Sequence, residues 1–166
     1  MIRENEFPIL EYSTEYEAVI NPGKKDEAFP RLCIMTFFRD VFESFISKYP
    51  GEIIGTYASE MKEFHAYKMK YKEMDICIIQ AAVGAGSISI MTDWLYGKGV
   101  EVLLCCGCCG VLADIPEGDV IIPIRALRDE GASYKYLPPS RYIELNKEPV
   151  QIFKQVLEEY KIPYME

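Results

Sequence analysis

The chain has 166 residues, with 26 Asp and Glu against 18 Lys and Arg, a formal net charge of −8 and 49% hydrophobic residues. That apolar share excludes a disordered chain, and no apolar run approaches the ~18 residues that a bilayer span needs. The acidic balance, without a basic stripe, argues against nucleic acid or an anionic membrane as a partner.

The opening, MIRENEFPILEY, lacks the basic, apolar, small-residue order of a signal peptide, so the chain is read as cytoplasmic. A reducing compartment makes its six cysteines thiols. Residues 1–30 read as an extended lead-in punctuated by Pro8, Pro22, Gly23 and Pro30, and 31–166 as one α/β domain. LCIMTFF (32–38) is a short buried strand, and RDVFESFISKYP a helix with Val41, Phe42, Phe45 and Ile46 at helical spacing. EIIGTYAS and FHAYKMKYK form a strand pair. In the second strand Phe64, Ala66, Lys68, Lys70 and Lys72 share one face, its lysines reading as solvated.

DICIIQAAV (75–83) is a near-continuous apolar strand, of the kind covered on both faces. GAGS (84–87) is a turn in which Ser87 is placed to cap the next helix. That helix, ISIMTDWLYGKG (88–99), carries Ile88, Met91, Trp94 and Leu95 on one stripe and ends at Gly97 or Gly99. VEVLLCC (100–106) is a second buried strand. The β-α-β order makes the two strands parallel with a right-handed crossover. GDVIIPIRAL (118–127) is another strand. EPVQIFKQVLEEYK (148–161) is an amphipathic helix with Val150, Phe153, Val156, Leu157 and Tyr160 in register.

Ligands of open α/β sheets lie beyond the carboxyl ends of the strands, and two such ends here are rich in glycine. Val83-Gly84-Ala85-Gly86-Ser87 lets backbone N–H groups approach an anion or a sugar; the plainer reading is a tight turn. A dinucleotide fingerprint lacks its third glycine, and the next strand ends in Cys105-Cys106-Gly107 with no acid for a ribose. Cys105-Cys106-Gly107-Cys108-Cys109-Gly110 contains two overlapping Cys-x-x-Cys pairs. Zinc wants two separated pairs, so small thiols packed near a site are favoured and no metal is expected. His65, the single histidine, reads as a packed imidazole. Asp129–Tyr136 joins polar, small and aromatic groups in one loop after a strand, a composition that suits a planar base or a sugar.

AAVGAGSISI, followed by VEVLLCCGCCGVLADIPEGDVIIPIRALRDEGASYKYLPP, resembles the nucleoside phosphorylase-I family, which includes purine nucleoside and uridine phosphorylases and related nucleosidases. The resemblance runs from about Arg31 to Asn146. It implies a three-layer α/β/α fold around a central mixed, largely parallel sheet. The implied activity is cleavage of the N-glycosidic bond of a purine or pyrimidine nucleoside by phosphate. The nucleosidases use water instead, and a catalytically silent binding or assembly module is a third reading. Phosphate is a co-substrate and no cofactor is implied.

The resemblance puts Val83, Gly84, Gly86, Ser87, Cys105, Gly107, Cys108, Gly110 and Tyr134 at the substrate, and Arg39, Lys62 and Cys108 near the phosphate. Cys105 stands where phosphorylases carry a phosphate-gripping arginine, and Cys108 where they carry a Ser or Thr. A thiol bonds more weakly than either. Family members continue past the position of Glu166 with the ribose-binding glutamate and the acid that meets the base. The domain is therefore expected to be C-terminally incomplete, no catalytic residue is assigned, and homo-oligomerisation is expected. On this reading two glycine-lined bends from adjacent parallel strands enclose the sugar.

Overall fold

The computed structural model describes residues 5–11 and 29–166. Most of the expected lead-in (1–4 and 12–28) lies outside the described residues. Within 5–11, Pro8–Leu10 form a 3-10 turn. The described residues divide into two compact units, 29–109 and 110–166, with 5–11 belonging to the second.

The first unit is a five-stranded sheet with a helix on each face. Its elements in chain order are β1 (Leu32–Thr36), α1 (Arg39–Lys48), β2 (Glu52–Ala58), β3 (Glu63–Tyr71), β4 (Met74–Gln80), α2 (Ala85–Gly97) and β5 (Val102–Cys106). The strand order is β2-β3-β4-β1-β5. β1 runs parallel to both β4 and β5, while β2–β3 and β3–β4 are antiparallel, so the sheet is mixed. The α/β class and the β2–β3 pair are as the alternation of residues predicts.

The core lies between the sheet and α2. Cys33, Met35, Cys77 and Ile79 point to this face and pack with Met91 and Leu95, all fully buried. Burying a side chain of that size contributes about 1.5–3 kcal/mol. α2 ends in a Schellman motif: Gly99 takes φ 100°, its N–H donates to the Tyr96 carbonyl, and the Val100 N–H donates to the Leu95 carbonyl. Both Val100 and Leu95 are buried, which adds the apolar contact that accompanies this stop. α1 covers the opposite face, where the Phe42 ring meets that of Tyr67.

Several expectations need correction. The strands of 32–38 and 75–83 stop at Thr36 and Gln80, because the chain leaves the ladder where no partner strand continues. Helix α2 begins at Ala85, so GAGS is mostly helix. Its N-cap is Gly84, and Ser87 is a third-position residue that caps nothing. On β3, Lys68 is half-buried and ion-paired with Asp75 (3.1 Å), and Ala66 is fully buried; the lysine face is solvated only towards the strand end. His65 is half-buried and shares a hydrogen bond with Thr56 (Nδ1 to Oγ1, 2.9 Å), the packed imidazole anticipated.

In the second unit, 118–127 is not one strand. It splits into β6 (Val120–Ile121), parallel to β9 (Tyr164–Met165), and β7 (Arg125–Leu127), antiparallel to β8 (Tyr142–Glu144). Pro123 between them has no N–H to give a ladder. α3 (Lys147–Glu159) is capped by the Asn146 side chain, which accepts from the Glu148 N–H at 3.2 Å. Leu157 is buried and Val150 and Phe153 half-buried, whereas Val156 and Tyr160 of the expected stripe are exposed.

Candidate active site

β1, β4 and β5 end level: Thr36 is in register with Gln80 on one side and Cys106 on the other. The pairing persists to the last residue, with the Ala81 N–H donating to the Thr36 carbonyl (2.8 Å) and the Phe37 N–H to that of Cys106 (2.9 Å). Both glycine turns of this unit leave from this one edge. They do not come from adjacent strands, however. β1 lies between β4 and β5, so the turns flank its end roughly 10 Å apart, two strand spacings. The connection from β1 leads to strands on one side and that from β4 to the strand on the other, the arrangement that opens a crevice at a sheet edge.

In the first turn Gly84 adopts φ 104° and ψ 142°, a backbone open essentially to glycine. It delivers the chain into α2 with no side-chain cap, so the first-turn N–H groups around Gly86 and Ser87 face this edge. Val83 is 82% exposed, and a Cβ at Gly84 or Gly86 would meet nothing within 4 Å. The second turn is tighter: a Cβ at Gly107 would stand 3.1 Å from the Phe37 ring. Cys105, Cys106, Cys108 and Cys109 are exposed free thiols. Cys105 has area open to solvent, yet protein around its sulfur, with Cys106 a lesser cause, raises its pKa. The Cys106 thiol donates to the Met35 carbonyl at 3.9 Å.

Two of the expected anion contacts sit on the same edge. Arg39, the first residue of α1, is a surface arginine whose Nε donates to Asp40 at 3.0 Å, so its charge is partnered. Lys62 lies in the β2–β3 hairpin, and its ammonium donates to Gln80 Oε1 at the end of β4. Gln80 was not among the residues singled out from the sequence. The available signal was a polar residue closing the apolar run DICIIQ.

Gly110 and Tyr134 belong to the second unit. A Cβ at Gly110 would meet nothing within 4 Å. Tyr134 sits in a loop knit together by Arg128, a second residue that sequence reasoning passed over. Arg128 is only 5% exposed. Its guanidinium donates to Ser133 Oγ (3.0 Å), the Pro138 carbonyl (2.6 Å), Ser140 Oγ (2.8 Å) and the Leu137 carbonyl (3.1 Å). Glu130 accepts from the N–H groups of Ala132 (2.6 Å) and Ser133 (3.1 Å). The Ser133 hydroxyl, followed by these N–H groups and the Arg128 charge, holds its pKa below the usual carboxylate value. Beside this loop a concavity of about 560 Å³ is lined by Leu127, Asp129, Tyr134, Ser140 and Arg141.

Among the described residues no cluster of three or more His, Cys, Asp or Glu is arranged to hold a metal ion, and no helix is long and apolar enough to cross a membrane.

Comparison with known proteins agrees with the fold. A curated guanosine phosphorylase from Halorubrum lacusprofundi is 33% identical over 79 residues, 47% of this chain and 33% of the relative. Uridine phosphorylase from Vibrio fischeri superposes with a TM-score of 0.70 at 21% identity, over 86% of this chain and 61% of that one. Purine nucleoside phosphorylase from Toxoplasma gondii, solved with immucillin-H, gives 0.69 at 18% identity, over 89% and 60%. The Helicobacter pylori protein MTAN gives 0.61 at 17%, over 80% and 63%. The chain thus spans a third of its curated relative and about three-fifths of these solved chains. The model of the phosphorylase superfamily matches residues 31–166, and the chain belongs to that superfamily.

Proposed function

We propose that this chain forms the nucleoside-binding part of an enzyme that cleaves an N-glycosidic bond, with inorganic phosphate as the attacking group. The carrying observation is the level end of β1, β4 and β5, which sets an uncapped helix N-terminus and a second small-residue turn on one edge. A phosphate oxygen attacks the anomeric carbon as the bond to the base nitrogen breaks, and the base leaves with that electron pair and takes up a proton. The transition state puts positive charge on the sugar and negative charge on the base and phosphate. On this reading Val83, Gly84, Gly86 and Ser87 meet the sugar from the first turn and Cys105, Gly107 and Cys108 from the second, with Lys62 at the anion. No cofactor takes part. The working state is a cytoplasmic homo-oligomer.

Hydrolysis is the second reading. One observation favours it: Cys105 is a free thiol and offers no charge for an oxyanion. Base release from guanosine, inosine, adenosine and uridine, measured with and without phosphate, separates the two. Phosphorolysis gives base plus ribose 1-phosphate only when phosphate is present. Equal release without phosphate supports the hydrolase, and no release from any nucleoside by the whole enzyme of which this chain is part overturns both.

A further inference from the structure

We propose that Cys106 and Cys109 form a reversible dithiol–disulfide couple, closed by a low-molecular-weight disulfide such as glutathione disulfide, and that its closing takes the second turn out of the shape that meets the sugar. Formation of the couple stands on the thiols alone; its effect on the site rests on the function proposed above.

Four thiols fall within Cys105-Cys106-Gly107-Cys108-Cys109, all of them free and exposed. Two Cys-x-x-Cys pairs compete for a disulfide, and the end of β5 separates them. Cys105 is in register with Met35, on the face that packs against α2. Protein around its sulfur raises its pKa, so little of it is the thiolate that attacks a disulfide. Cys106 is in register with Thr36 and points to the opposite face. Its thiol makes a weak hydrogen bond to the Met35 carbonyl at 3.9 Å. The Cys105–Cys108 pair therefore contains a slow thiol, and the Cys106–Cys109 pair does not.

The backbone fixes one partner and leaves the other free to approach. Cys106 is the last residue of β5, and its carbonyl accepts from the Phe37 N–H at 2.9 Å. Among the described residues no backbone hydrogen bond closes a turn between Cys106 and Cys109. A disulfide needs its Cα atoms about 4.4–6.8 Å apart, which for residues three apart is the span of a tight turn. Closing thus bends the chain at Gly107-Cys108, where glycine gives the backbone its freedom, and moves two groups assigned to the sugar. The exchange balances. The Cys109 thiolate attacks one sulfur of glutathione disulfide and expels a glutathione thiolate. The Cys106 thiolate then attacks the Cys109 sulfur and expels the second glutathione. Two protein thiols are oxidised, one glutathione disulfide is reduced, and the two thiol protons pass to the departing thiolates.

The test holds the full chain in glutathione buffers of rising disulfide-to-thiol ratio, quenches with acid, alkylates, and reads the peptide that carries Cys105–Cys109 by mass spectrometry. Wild type is expected to lose two hydrogens and gain a Cys106–Cys109 crosslink that dithiothreitol reverses. Cys106→Ser is expected to stop at a stable glutathione adduct on Cys109, because the resolving thiol is gone, whereas Cys105→Ser still closes the crosslink. In the whole enzyme of which this chain is part, closing is expected to slow base release at least about tenfold, with recovery on reduction. A crosslink that joins Cys105 to Cys108 overturns the inference. So does a chain that carries only glutathione adducts or stays reduced in glutathione disulfide alone, and so does a crosslinked enzyme with full turnover. A Cys106–Cys109 crosslink in a whole enzyme that cleaves no nucleoside in either redox state upholds the couple while the proposed reaction fails.

Discussion

The Arg128 guanidinium stands 4.4 Å from the centre of the Tyr134 ring, and the Tyr134 hydroxyl donates back to the Arg128 carbonyl at 2.9 Å. The pair makes Asp129–Ser140 a self-supporting loop built around a buried cation. Arg128→Met removes four donors and leaves the carbonyls of Leu137 and Pro138 without them. It is expected to destabilise the chain by about 3 kcal/mol, measured by urea unfolding. Arg128→Lys recovers only part, since one ammonium cannot span four acceptors on different sides.

The two glycines of the first turn should respond with opposite sign. Gly84 holds φ 104°, so Gly84→Ala is strained whatever the open space beside it, and the expected loss is about 1–3 kcal/mol. Gly86 lies inside α2 with nothing near its missing Cβ, so Gly86→Ala is expected to gain about 0.5–1 kcal/mol. Thermal unfolding of the two variants checks both signs.

Thiol reactivity should divide the cysteines. Cys33 and Cys77 are buried register partners on β1 and β4, and their mutual hydrogen bond, with burial, raises the Cys33 pKa far beyond the usual thiol range. In the native state an aromatic disulfide reagent is expected to titrate Cys105, Cys106, Cys108 and Cys109, and to reach the other two only after denaturation. Among the four, Cys105 should lag, its alkylation rate rising with a midpoint above the ordinary 9.0.

Glu130 sets an acid-side dependence. Its folded pKa lies below the unfolded value of 4.5, so its stabilising effect is complete above that value and is lost as pH falls through the folded one. Unfolding curves of wild type and Glu130→Gln should therefore converge in acid and separate at neutral pH, with wild type the more stable.

Much of this architecture is legible along the chain. The apolar runs at 32–36, 76–79 and 102–104, with helical spacing at Met91 and Leu95, locate the sheet and the core helix, because strand and helix periods differ. Strand order is not legible, since periodicity is blind to which strand lies between β4 and β5. Boundaries fail where backbone conformation decides: Gly84, with its unusual φ, takes the cap position that Ser87 was expected to fill. At the candidate site, composition points to the glycines. Gln80 and Arg128 stay hidden because their roles depend on groups 18 residues away and 5 to 12 residues away respectively.

The Phe37 ring lies across the backbone of Gly107, and the gap holds one side chain, supplied from position 37. Bulk at either position can grow only as the other shrinks. Phe37→Ala should make Gly107→Ala tolerable, and among descendants of this chain the two sites should change hands together rather than singly.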